Sequence, residues 1–150
     1  MAESNFPYDA LLQLKDAGSV SSSAAAQVAS ADKILTVGDE AIGGDFVVDV
    51  SALDQTTGDE QAYIQLQGSN SASFASGVVT LAMVSIGGAT AATGGHPLGA
   101  RSAVTGLTRY SVPFKNVFGG TRYAYLRAYH ALAGTSPSVN YVASLSINKA

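Results

Sequence analysis

The 150 residues contain neither cysteine nor tryptophan. Without cysteine there are no disulfides, thiolate metal sites or thiol nucleophiles, so stability has to come from packing and assembly. Charge is scarce as well: 11 acids and 8 bases make up 13% of the chain, against roughly a quarter in an average soluble domain. The net charge of −3 fits neither a charged disordered tail nor a general basic binder of nucleic acid. Apolar runs are short. The longest, residues 78–86, falls well below the roughly 18 residues of a membrane helix. Residues 1–10 lack the basic and then apolar pattern of a signal peptide, which predicts a soluble protein made in the cytoplasm with no membrane partner. Acids are missing altogether beyond Glu60. Residues 1–60 hold all eleven against only Lys15 and Lys33, a net −9, whereas residues 61–150 carry +6. Strands of the two halves interleaved in one sheet would turn this polarity into cross-strand ion pairs. Kept apart, the halves would form two poles able to orient the molecule on a charged partner.

What is abundant is small: Ala, Ser and Gly together fill 59 positions, yet a hydrophobic content of 47% and twelve aromatic rings still support one folded unit of this length. Short alternating segments bounded by Gly, Ser, Asn, Asp or Pro predict strands and turns. In residues 45–53, Phe46, Val48 and Val50 share a face, and in 61–69, Ala62, Ile64 and Leu66 do the same. Residues 78–86 are apolar on both faces, the pattern of a central strand covered on both sides. Residues 107–114 contain Pro113 and belong near an edge. A strand over 121–132 alternates Tyr123, Tyr125, Arg127 and Tyr129 outward with Leu126 and Ala128 inward, and places His130 at its end. Residues 139–147 put Val139, Tyr141, Ala143, Leu145 and Ile147 on one side and close the core. Shorter candidates at 10–15 and 33–37 bring the total to about eight strands without a long helix. The expected fold is therefore all-β, a single-domain antiparallel sandwich or jelly roll. Residues 1–23 read as an N-terminal arm or extended segment and 24–150 as the jelly-roll domain, with a long Gly-, Ala- and Thr-rich connection over 87–105.

Catalytic patterns are weak. His96 and His130 are the only histidines, and any Ser-His-Asp set would have to draw its acid from the first sixty residues. His96, between Gly95 and Pro97, reads as an exposed loop residue. The tripeptide Gly-Asp-Glu occurs at 38–40 and 58–60, but without the alternating acids of a calcium loop it reads as turn chemistry. No glycine-rich segment leads into a helix with a following lysine, so a phosphate loop is not indicated. The Tyr/Arg row invites base stacking and phosphate contact. The same residues are favoured in strands and at protein interfaces, and a partner subunit is the preferred reading over nucleic acid.

Several segments resemble the capsid cement, or decoration, proteins of tailed bacteriophages. They are 11–18 (LLQLKDAG) with the Ser/Ala stretch after it, 46–53 (FVVDVSAL) leading into Gly58-Asp59-Glu60, 64–69 (IQLQGS), Thr121-Arg122-Tyr123 through Arg127, and 133–139 (AGTSPSV) with the closing strand. The resemblance implies a jelly roll bound outside a shell of major capsid protein, bridging capsomers as a dimer or trimer, with no enzyme activity and no cofactor. Candidate contacts are Phe6, Tyr8, Leu11 and Leu12 on the arm and Arg122, Tyr123, Tyr125, Arg127 and Tyr129 on the Tyr/Arg strand. The alternative is a jelly-roll module of the virion that binds carbohydrate or the host surface, which the absence of tryptophan disfavours.

Overall fold

The computed structural model describes residues 9–88 and 106–148, nearly all of them in strands, turns and bends. After a single 3-10 turn at Ala10–Leu12 come six short pieces, β1 (Gln13–Lys15), β2 (Ser19–Val20), β3 (Ala24–Ala25), β4 (Gln27–Val28), β5 (Ala31–Asp32) and β6 (Leu35–Thr36). They are followed by β7 (Gly43–Leu53), β8 (Gln61–Ser69), β9 (Val79–Gly87), β10 (Thr108–Lys115), β11 (Val117–Phe118), β12 (Thr121–Arg122), β13 (Tyr125–Ala133) and β14 (Val139–Asn148). The six long strands build two antiparallel sheets. The first runs β1–β14–β7–β10, with β2 also on β14. The second runs β3–β13–β8–β9, with β6 also on β13. Residues 13–36 thus pass between β14, an outermost long strand of one sheet, and β13 of the other, along one side of a sandwich.

Alternation produces the core. Phe46, Val48 and Val50 of β7, Ile64 and Leu66 of β8, Leu126 and Ala128 of β13, and Tyr141 and Ala143 of β14 are all fully buried between the sheets. Burying a large apolar side chain contributes about 1.5–3 kcal/mol, so these inward rows supply the main drive for folding. Close approach of strands needs glycine at one central place: a Cβ on Gly44 would run into the Ser146 carbonyl oxygen of β14.

The edges explain the departures from the sequence pattern. β9 is an edge strand, not a doubly covered one: Ala82, Val84 and Ile86 face the core while Met83 is 46% exposed. β10 is the other edge, as Pro113 predicts, since its missing N–H is tolerated only where no second strand pairs. The single strand expected over 121–132 is broken. Gly119 and Gly120, at φ 57° and 79°, close the tight β11–β12 hairpin. The chain then leaves the ladder: Tyr123 N–H donates to the Asn116 carbonyl and Ala124 N–H to the Asn70 side chain. His130 lies within β13 and points into the core instead of sitting at a strand end. Within the segment 1–23, read as an arm or extended segment, the chain from Gln13 onward is extended and built into the sandwich: β1 and β2 hydrogen-bond to β14 and Leu14 is fully buried. Residues 1–8, and the connection 89–105 with His96, lie outside the described residues.

The acidic and basic halves do interleave: β7 lies between β14 and β10 in the first sheet, and β3 and β6 pair with β13 in the second. Among the described residues the polarity yields one ion pair, Arg109 Nε to Asp49 at 2.7 Å across β10 and β7, with Nη2 on the second carboxylate oxygen at 2.8 Å.

Candidate partner-binding face

The outward side of the second sheet gathers the aromatic and polar side chains of three strands. β13 contributes Tyr125, Arg127 and Tyr129, and the ladder sets them opposite Ser69, Gln67 and Gln65 of β8. Arg127 is half-buried, and its guanidinium lies 4.3 Å from the ring centre of Phe74 and 5.3 Å from that of Tyr129. Stacking of this kind contributes on the order of 0.5–1 kcal/mol at exposed sites and fixes the plane of the fork. Its Nε donates to Gln67 Oε1 at 2.9 Å. Burial lowers the Arg127 pKa, with Tyr129 and Asp32 acting the other way.

Phe74 reaches that position through an unusual backbone. It has φ 55°, a value a bulky residue seldom adopts, and it is 7% exposed although it is not part of the inter-sheet core. The 70–76 loop holds it there: Phe74 N–H donates to the Ser71 carbonyl, Ser71 N–H to Ser69 Oγ, and Ser69 Oγ to the Ser76 carbonyl, each within 3.0 Å.

The other expected contact residues are scattered. Tyr123 is buried beside Gly68 and does not share the open face. Arg122 lies apart, on the β11–β12 hairpin, with its guanidinium on the Asp39 carbonyl. Leu12 packs against the core, whereas Leu11 is 72% exposed at the 3-10 turn capped by Asp9. Phe6 and Tyr8 fall outside the described residues. A separate apolar rim lies at the β9 and β10 edges, where Leu81, Phe114, Val117 and Phe118 line a shallow cleft of about 250 Å³ and Phe118 is 60% exposed.

A buried polar cluster went unrecognised in the sequence. Lys15, 4% exposed, donates through Nζ to the carbonyls of Asp16 and Gly18 and sits 4.7 Å from the Tyr141 ring centre. The Tyr141 hydroxyl is 2.8 Å from His130 Nδ1. Burial and the Lys15 charge push the His130 pKa down to about 4, partly opposed by the backbone of Ser22. Burial raises the Tyr141 pKa and lowers that of Lys15, with Asp16 partly offsetting the latter. Lys15 and His130 also line an open polar cleft of about 590 Å³ with Ser19, Ser22 and Asp32. The parity of β13 was the available signal, since a residue four positions after Leu126 in a regular strand must face inward too.

The two Gly-Asp-Glu tripeptides are turns, but not equivalent ones. Both glycines have positive φ. Glu40 is exposed, whereas Glu60 is 1% exposed and accepts the N–H groups of Thr57 and Gly58 and the Thr57 hydroxyl. These bonds, the Thr57 hydroxyl first, hold the Glu60 pKa at about 2 against the cost of desolvation. Asp59 is likewise lowered by the backbone N–H and hydroxyl of Thr135. Among the described residues no group of three or more His, Asp or Glu is placed to hold a metal ion, and no helix is long and apolar enough to cross a membrane. Comparison of the chain with protein-family models, with curated proteins and with solved structures finds no match.

Proposed function

We propose that the chain is a capsid cement, or decoration, protein of a bacteriophage. In this reading it is made in the host cytoplasm, binds the outer surface of a head built from major capsid protein, and reinforces the joints between capsomers. The observation that carries the reading is the outer face of the second sheet. There Tyr125, Arg127 and Tyr129 stand on a rigid antiparallel scaffold, with Arg127 clamped by Phe74 before any partner arrives. Preorganised Tyr and Arg side chains are what protein interfaces favour, because little ordering is left to be done on binding. The resemblance of the segments around 11–18, 46–53 and 133–139 to cement proteins supports the same role.

A subunit of this kind works through contact area and needs no cofactor, metal or nucleic acid. Binding the folded state raises its apparent stability, and many copies on one shell add avidity. Leu107, Met83 and Phe118 are exposed apolar side chains, of the kind a second copy would cover in a dimer or trimer. A second reading, binding to carbohydrate or the host surface, draws on the same face, since Tyr63, Tyr129, Gln65 and Gln67 are ring and amide groups that sugars use.

The test adds purified protein to undecorated shells of the same virus and maps bound density. Ordered copies on the outside and a higher shell melting temperature are expected. Unoccupied shells, together with retention on host polysaccharide, would replace the cement reading with the second one. Light scattering should give a multiple of 15.2 kDa, and a strict monomer both free and on the particle removes the oligomer.

A further inference from the structure

We propose that the outer face of the second sheet is a docking site for carboxylate groups of an acidic protein segment, received by Arg127 and the amide ladder beside it. That the segment belongs to a shell protein rests on the function proposed above; the carboxylate chemistry does not. Three hydrogen bonds run across the face from β9 to β13. Thr80 Oγ1 donates to Gln65 Oε1 at 3.3 Å, Gln67 Nε2 donates to the same oxygen at 2.9 Å, and Arg127 Nε donates to Gln67 Oε1 at 2.9 Å. Both amide oxygens are therefore engaged from within the face. The nitrogens of this row that have no hydrogen-bond partner among the described residues are all donors: the Gln65 amide nitrogen, the second Gln67 N–H and the two terminal nitrogens of Arg127. Arg127 is also outside the one ion pair of those residues, Arg109 with Asp49 on the other sheet, and Asp32 acts on it only at a distance.

A row of donors ending in a flat guanidinium matches a carboxylate, which accepts two parallel N–H bonds from one fork. Clamping by Phe74 holds the plane of that fork, so the strained φ of Phe74 has a use. A neutral sugar makes less use of the face, because it carries no negative charge to pair with the Arg127 guanidinium. An open sheet face flanked by Tyr125 and Tyr129 has the composition of a protein contact, whereas small ligands are enclosed in concave sites.

The experiment titrates the full chain with a hexaglutamate peptide at low salt, following the Arg127 Nε–H and the side-chain amides of Gln65 and Gln67 by NMR. Hexaglutamine and hexagalacturonate are run as parallel probes. Saturable shifts at these groups with hexaglutamate are expected, together with a loss of roughly tenfold or more in Arg127→Gln, the scale of a lost charge-assisted pair. Arg127→Lys should retain only part of the binding, because it keeps the charge without the fork. If Arg127→Gln unfolds, Gln65→Glu leaves the Arg127 stack in place and should weaken the peptide through repulsion. Tighter binding of hexagalacturonate than of hexaglutamate, equal binding of hexaglutamine, or shifts unaffected by either variant overturns the proposal. No shell takes part in this assay, so peptide binding without shell occupancy would sink the cement role and leave the carboxylate site standing.

Discussion

His130 Nδ1 and the Tyr141 hydroxyl meet at 2.8 Å across the interior, tying β13 of one sheet to β14 of the other. Their rings pack edge to face at 5.8 Å, and the Lys15 ammonium approaches the far partner, 4.7 Å from the Tyr141 ring centre. A proton added to His130 would have no acid to meet and a cation close by, so the fold keeps this imidazole neutral.

Mild acid should therefore loosen the sandwich through His130. An unfolded histidine takes up a proton near pH 6.5 and folded His130 only near 4. Between those values the unfolded state binds more protons, so stability is complete above about 6.5, falls as pH drops toward 4, and levels off below. The full loss is on the order of 3 kcal/mol. Urea midpoints at pH 7.5, 6.5, 5.5 and 4.5 should fall for the native chain and change far less for His130→Gln. Parallel slopes in the two proteins would refute the assignment.

Glu60 should act in a lower window. Its folded pKa is near 2 against an ordinary 4.5, so its contribution is present above about 4.5 and is lost as pH falls toward 2. Glu60→Ala leaves the Thr57 and Gly58 N–H groups without their acceptor and should lower the melting temperature at pH 7. Glu40→Ala, on the exposed copy of the tripeptide, should not. Equal effects of the two would show that the buried carboxylate has no special role.

Much of this organisation can be read from side-chain parity. Residues 62–66 and 139–147 alternate cleanly because one face of each strand is buried and the other is more open, and the structure buries the rows expected, Phe46, Val48 and Val50 among them, although Val47 on the opposite face of β7 is buried too. Residues 78–86 mislead because Met83 and Leu81 are apolar at an edge, where composition alone cannot distinguish a covered face from an open one. The Tyr/Arg row failed at Tyr123 for another reason. Asn116 takes over the backbone bonds of Tyr123, and Asn70 binds the backbone on either side of it from 52 and 54 positions away, a separation that leaves no local pattern. Lys15 was unreadable as a core residue because its charge is satisfied by carbonyls one and three residues away.

Gly44 should not tolerate a side chain. An added Cβ would collide with the Ser146 carbonyl and crowd the Ile147 backbone, atoms held by the central ladder, so β7 and β14 would have to separate. Gly44→Ala is expected to cost about 1–3 kcal/mol or more. Gly106→Ala meets open space and should be neutral. Chemical denaturation of both variants checks the pair, and a neutral Gly44→Ala would contradict the close approach.

Asn116 should prove the most sensitive polar residue of the β11–β12 end. It is fully buried between β10 and β11, and its side chain binds three backbone groups: Nδ2 donates to the carbonyls of Glu40 at 2.8 Å and Tyr123 at 3.1 Å, and Oδ1 accepts from Ile42 N–H at 2.8 Å. Its own backbone bonds Ile42 and Tyr123 as well. One side chain thus closes the gap where the chain leaves the ladder on both sides. Asn116→Ala strips partners from three backbone groups, of which the Tyr123 carbonyl is buried and the other two part-buried; a buried group left unsatisfied costs about 1–3 kcal/mol, with partial relief as the loop relaxes. Asn116→Asp is the sharper probe. It keeps the acceptor for Ile42 but turns a carboxylate toward the Glu40 and Tyr123 carbonyls, which can only repel it or force it to hold a proton. At pH 7 Asn116→Asp should be at least as unstable as Asn116→Ala, and it should recover part of the loss on mild acidification, whereas Asn116→Ala should not. Amide exchange should rise first at Ile42 and Tyr123, ahead of the β7–β14 core. If Asn116→Asp matches the native protein at pH 7, the donor role assigned to Nδ2 is wrong.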